Sequence, residues 1–128
     1  MSQDLLRLHG GEVPPRMADL VRLRGVGRKT ANVVLGVAFG VPGFPVDTHV
    51  ARLSRRLRLS SATEPEKIEA DICSMVPAEE WTDLSLRLIL HGRRVCAARR
   101  PRCERCAMST FCPAAFAQSP ARPRAKRR

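Results

Sequence analysis

Four cysteines, Cys96, Cys103, Cys106 and Cys112, lie within 17 residues in the pattern C-x6-C-x2-C-x5-C, and no other feature constrains the fold as much. In a reducing cell such clustering favours metal over disulfides. Four thiolates can wrap one tetrahedral zinc ion or an iron–sulfur cube. A structural zinc site usually pairs two C-x2-4-C knuckles, whereas this loop has one C-x2-C flanked by wider gaps. Wider gaps suit the larger object, so the spacing puts iron–sulfur slightly ahead of a zinc-binding structural module. The fifth cysteine, Cys73, falls on an apolar helix face beside Ile72 and Val76 and reads as a buried free thiol.

The charge is placed unevenly around this loop. Residues 93–128 hold eleven basic residues and one acid, Glu104, while residues 1–92 hold twelve basic and eleven acidic residues. A basic C-terminal third points to a polyanion, most simply nucleic acid. With no tyrosine in the chain, stacking platforms for single strands are a poor fit, and contact with a duplex backbone fits better. No apolar run approaches the roughly 18 residues of a membrane span, and "MSQDLLRLHGG" lacks the parts of a signal peptide. The expectation is an intracellular protein, cytoplasmic and nucleoid-associated, with no membrane partner.

The periodicity is helical throughout. Leu5, Leu6 and Leu8 read as the end of a helix stopped by Gly10-Gly11. "MADLVRLR" reads as a short amphipathic helix, and Gly25-Val26-Gly27 as a hairpin. "RKTANVVLGVAF" follows as a helix with Ala31, Val34, Leu35 and Ala38 on one stripe. After the broken loop "GVPGFP", Asp47 and Thr48 open a basic helix that buries Val50, Leu53 and Leu57. "TEPE" reads as a capping box with Thr63 as the cap, and "TDLSLRLILHGRRVC" as a last apolar helix leading into the cysteines. The class is all-α, divided into residues 1–45 carrying the hairpin, 46–116 carrying the cysteine loop, and a basic disordered tail at 117–128.

A Gly-x-Gly turn between two helices lets a ligand come close to the backbone, and the free N–H groups at the start of the second helix can hold a phosphate without reading sequence. Gly25, Val26, Gly27, Arg28 and Thr30 are therefore candidates for DNA contact. Lys29 sits in the first turn of that helix as a candidate nucleophile. Asp47 reads as an N-cap and also as a carboxylate opposite the lysine.

Together, "LRGVGRKTANVVLGVAFGVPGFPVDTHVARLSRRL", "LILHGRRVC" and "CAARRPRCERCAMSTFC" resemble the endonuclease III family, in the family's motif order. That resemblance implies a helix-hairpin-helix DNA glycosylase and abasic-site lyase with a [4Fe–4S] cluster, acting on oxidised pyrimidines and abasic sites in double-stranded DNA. It implies that Lys29 attacks C1′ of the damaged nucleotide and that Asp47 assists. It further implies that Cys96, Cys103, Cys106 and Cys112 ligate the cluster, and that Arg99, Arg100, Arg102 and Arg105 meet phosphates. An adenine-glycosylase-like relative would share the cysteine spacing but usually carries serine where Lys29 stands. Two departures stand out. The family's hairpin usually reads L-P-G-V-G, where this chain has Arg24; a small effect and an added phosphate contact are expected. The family also has a long helical segment ahead of the point where this sequence starts. The expectation is a chain lacking part of the helical domain, with an apolar face around Val33, Val34 and Val37 open to a partner chain. The competing expectation is a catalytically inactive DNA-binding remnant with no lesion pocket.

Overall fold

The computed structural model describes residues 1–117, and the tail expected at 117–128 lies, from residue 118 on, outside the described residues. Every regular element among the described residues is helical. Helix α1 (Ser2–His9) ends at Gly10, whose φ of 62° only glycine adopts without strain. The Gly10 and Gly11 N–H groups then satisfy the Leu6 and Leu5 carbonyls. Helix α2 (Met17–Leu20) is half as long as the sequence pattern suggests. Past Leu20 the chain breaks into turns, with Leu23 N–H donating to the Leu20 carbonyl and Val26 N–H to that of Leu23. These turns bring Leu20, Leu23 and Val26 onto one side, where a continuing helix would spread them. Helix α3 (Arg28–Phe39) follows the expected limits. Its Ala31 and Leu35 complete a small core with those three residues, and Val34 packs at its edge. Ala38 is exposed, contrary to the expected stripe, as is Val37; Val33 and Val34 are half-buried.

A second, larger core joins Phe44 and Val46 to helix α4 (Thr48–Arg56), helix α5 (Pro65–Met75) and helix α6 (Trp81–Arg94) through Val50, Leu53, Ile68, Ile72 and Leu88. The "GVPGFP" loop is a structural staple, because three of its carbonyls are taken by side chains. Thr82 Oγ1 donates to Gly43, Ser85 Oγ to Pro45, and buried Asn32 Nδ2 to Phe44. Such pairing is what lets an irregular segment run through the interior. The capping box at Thr63 does not form. Glu64 is the N-cap of α5 and no side chain caps it, because Pro65 takes the first helical position and needs no partner for a missing N–H.

Helices α4 and α6 make the most extensive helix–helix contact, and Gly92 lies within it. A Cβ at Gly92 would meet Arg52 Nη2 and His49 Cβ at 3.0 Å and Leu53 Cδ1 at 3.2 Å. Gly92→Ala is therefore expected to destabilise the fold by roughly 1–3 kcal/mol through overpacking, read as a lower midpoint in thermal or urea denaturation. An unchanged midpoint would show that the two helices have room to separate.

Candidate active site and cysteine loop

The hairpin and α3 are built for approach. Gly25 has a φ of 84°, a left-handed turn that a side chain would strain. Val26 anchors the loop: its side chain is buried in the small core and its N–H is taken by Leu23. Of the candidate DNA-contact residues, Gly25, Gly27, Arg28 and Thr30 are exposed, as is Lys29. Gly27 caps α3 without a side chain, so the first-turn N–H groups of this helix stay open to an external acceptor. Helix α4 shows the contrast, since Asp47 Oδ1 accepts from both His49 N–H and Val50 N–H at 2.9 Å. One helix start is closed by a carboxylate and the other is left open.

Arg28 is already engaged. Its Nε and Nη2 donate to the two carboxylate oxygens of Glu69 on α5 at 2.8 and 3.0 Å, a bidentate bridge between the hairpin helix and the larger core. Among the described residues no carboxylate lies within ion-pair distance of Lys29. Lys29 lines an open groove of about 590 Å³ together with Gly27, Asn32 and Val46 and with Glu64, Glu66 and Glu69. Asp47 directly follows Val46, so the capping carboxylate lies one residue from the groove's wall.

Arg24 is also tied down, in place of the expected free phosphate contact. Nε donates to Asp4 Oδ2 at 3.0 Å and Nη2 to Oδ1 at 3.3 Å. Hydrogen bonds from the Arg24 side chain and backbone hold the Asp4 carboxyl down at about 2. Because the folded value is depressed, this contribution to stability is intact above about pH 4 and fades as pH falls toward 2.

All four loop cysteines line one partly open, apolar-walled hollow, together with Leu53, Leu57 and His91. None is in a disulfide. Among the described residues no three His, Cys, Asp or Glu side chains converge as a site for a single metal ion. Four soft thiol donors lining one hollow are the donor set of an iron–sulfur cluster. Each sulfur has a polar neighbour. Arg56 Nη1 donates to Cys96 Sγ at 3.0 Å, the Phe116 N–H to Cys103 Sγ at 3.4 Å, and Cys112 Sγ to the Arg56 carbonyl at 3.8 Å, while His91 Nε2 lies 3.4 Å from Cys106 Sγ. Burial pushes the His91 imidazole down, favouring its neutral form. Arg99, Arg100, Arg102 and Arg105 are exposed on the same loop. Cys73, apart from it, is half-buried, and desolvation pushes its thiol up to about 11.

The structure adds two residues that the sequence reading passed over. Arg52 donates to the Cys96 carbonyl, the Gly92 carbonyl and His49 Nδ1, which must be the unprotonated ring nitrogen because arginine has no acceptor. Buried Arg56 donates to the Ala97 and Ala98 carbonyls at 2.9 and 2.8 Å. Their spacing of four on one helix was the available signal, because it puts both guanidinium groups on the same face.

Residues 8–37 match the helix-hairpin-helix motif model. The chain is 54% identical over 108 residues to endonuclease III of Synechocystis sp., covering 84% of this chain and 49% of that protein. It is 48% identical over 108 residues to endonuclease III of Escherichia coli K12, covering 84% of this chain and 51% of that one. Over these residues the chain is similar to endonuclease III. It spans about half the length of the curated relatives it matches. Among solved structures, a non-covalent endonuclease III–DNA complex aligns with a TM-score of 0.82 at 41% identity, covering 87% of this chain and 52% of that one. A trapped endonuclease III–DNA covalent intermediate aligns at 0.83 and 42% identity, with 87% and 53% coverage. The all-helical fold is thus the helix-hairpin-helix glycosylase fold over the matched endonuclease III residues.

Proposed function

We propose that this chain carries the chemistry of a base-excision-repair DNA glycosylase and abasic-site lyase. The observation that carries it is an exposed lysine, Lys29, at an uncapped helix start behind a Gly-Val-Gly hairpin, on a groove whose wall leads directly to Asp47. The solved relatives in complex with DNA, one of them covalent, support duplex DNA as the ligand. Backbone N–H groups of the hairpin and of the first turn of α3 hold phosphates on one side. Arg99, Arg100 and Arg102 meet them on the other, as sequence-independent contacts.

In the reaction, the lone pair of Lys29 Nζ forms a bond to C1′ of the damaged nucleotide. The glycosidic C1′–N bond breaks, and the base leaves with the electron pair and takes up a proton. Transfer of one proton from the Lys29 nitrogen to O4′ and opening of the C1′–O4′ bond give a protonated Schiff base and a free 4′-hydroxyl. Loss of a C2′ proton then expels the 3′ phosphate oxygen and cuts the strand. Asp47, fixed as a cap, assists by accepting the lysine proton or by stabilising positive charge at the sugar. At an abasic site the first bond breakage is already complete. The lyase half therefore needs only the amine and a held backbone. Cys96, Cys103, Cys106 and Cys112 would hold a [4Fe–4S] cluster, which supplies a structural brace for the arginine-bearing loop.

A second reading is DNA binding without base excision, for which the exposed hairpin and loop arginines suffice. Borohydride trapping on a duplex with one abasic site separates the two. A covalent adduct that disappears in Lys29→Ala is expected. A folded, DNA-binding protein that gives no adduct would leave the binding reading and remove the enzyme reading for this chain.

A further inference from the structure

Arg24 precedes the hairpin turn, and the buried carboxylate it meets comes from a helix twenty residues earlier in the chain. Asp4 is 4% exposed, whereas the Arg24 side chain is 73% exposed. Three donors of one residue converge on this carboxylate: Nε, Nη2 and the backbone N–H, the last at 3.2 Å to Oδ2. The backbone bond carries the argument. A surface ion pair holds a side chain, but an acceptor on the Arg24 N–H fixes the peptide itself, one residue before Gly25 and its φ of 84°. Arg7 Nη2, 3.6 Å from Asp4 Oδ1, balances the same carboxylate from within α1. A buried carboxylate would be costly without such partners, so Asp4 and Arg24 depend on each other.

We propose that Asp4 is a positioning residue for the hairpin, its carboxylate clamping the Arg24 backbone and guanidinium so that the Gly25–Gly27 turn is presented at a fixed angle. A proline at this position would stiffen the turn by its ring instead, and has no N–H to satisfy. The two devices are alternatives. Arg24 needs Asp4, and a proline at this position would leave Asp4 buried with too few donors. The consequence for DNA rests on the hairpin being the phosphate-holding element proposed above.

The test is a cycle of Asp4→Ala, Arg24→Pro and the double variant, with Asp4→Asn as a milder form should Asp4→Ala fold poorly. Two quantities are read in each: amide hydrogen exchange over residues 25–29, and affinity for a duplex with an abasic site. Asp4→Ala is expected to speed exchange at these amides about tenfold and to weaken binding by about the same factor, the scale of one lost charge-assisted hydrogen bond. Arg24→Pro alone is expected to melt at a lower temperature than the parent. The double variant is expected to regain parent-like exchange and binding to within roughly threefold, the coupling expected of residues in contact. Unchanged exchange in Asp4→Ala, or a double variant worse than either single one, would overturn the clamp. Faster exchange with unchanged DNA affinity would uphold the clamp and remove the hairpin from the DNA interface.

Discussion

Arg56→Ala is expected to lower folding stability by roughly 3 kcal/mol or more and to leave the cysteine loop unable to retain iron. Arg56 is 9% exposed, and its guanidinium reaches from α4 to Cys96 Sγ and to the carbonyls of Ala97 and Ala98. Its own backbone carbonyl takes the Cys112 thiol. One residue thus touches both the first and the last cysteine of the loop. Hydrogen bonds from a charged donor contribute about 1.5–3 kcal/mol each, and removing the donor also strands partly buried acceptors. The loop's regular structure is one turn of 3₁₀ helix at Cys103–Arg105, so side-chain bonds from α4 weigh heavily in ordering it. Arg56→Lys is not expected to rescue, because one ammonium nitrogen would replace the two guanidinium nitrogens that reach Ala97 and Ala98 separately. Urea denaturation gives the stability, and the iron-to-protein ratio of the purified variant gives the loop's competence. A variant with parent-like midpoint and parent-like iron content would show that the loop is organised without Arg56.

Asp47→Asn is expected to cut the single-turnover rate on an abasic duplex by about 100-fold or more while changing stability by less than roughly 0.5 kcal/mol. The two effects separate because the two jobs of Asp47 use different properties. The cap needs only an oxygen acceptor for the His49 and Val50 N–H groups, and an asparagine carbonyl supplies it. The proposed chemistry needs a charge or a proton acceptor, which asparagine lacks. Asp47→Ala removes both properties and is expected to add about 1 kcal/mol of destabilisation to the same rate loss. An Asp47→Asn variant at full rate would leave Asp47 a cap and nothing more. A rate lost in proportion to lost fold in both variants would mean the same.

These expectations draw on unequal parts of the chain. The long helices were legible, because α3 and α6 carry apolar residues at helical spacing and their ends are marked by glycine or by the turn into the cysteines. So was the capping role of Asp47, since a capping aspartate is a local device and depends on residues two and three positions away. The end of α2 was not legible. Its continuation has good helix formers, and only burial of Leu23 and Val26 against α3 makes turns the better solution. The Thr63 cap failed for a similar reason, because proline at the first position of α5 already fixes that helix start.

By itself, the sequence determined an all-helical chain, a glycine hairpin opening onto a lysine, and a loop of four thiols whose spacing suits a cluster. Each is set by contacts within a few residues, so the order of side chains is enough. Only the tertiary structure decided where the arginines point. Arg24 turned to Asp4, Arg28 to Glu69, and Arg52 and Arg56 to the cysteine loop, across separations of 20 to 44 residues. An arginine's reach and its many donors let it serve a phosphate, a carboxylate or a carbonyl equally well, and the choice falls to whichever acceptor folding brings alongside.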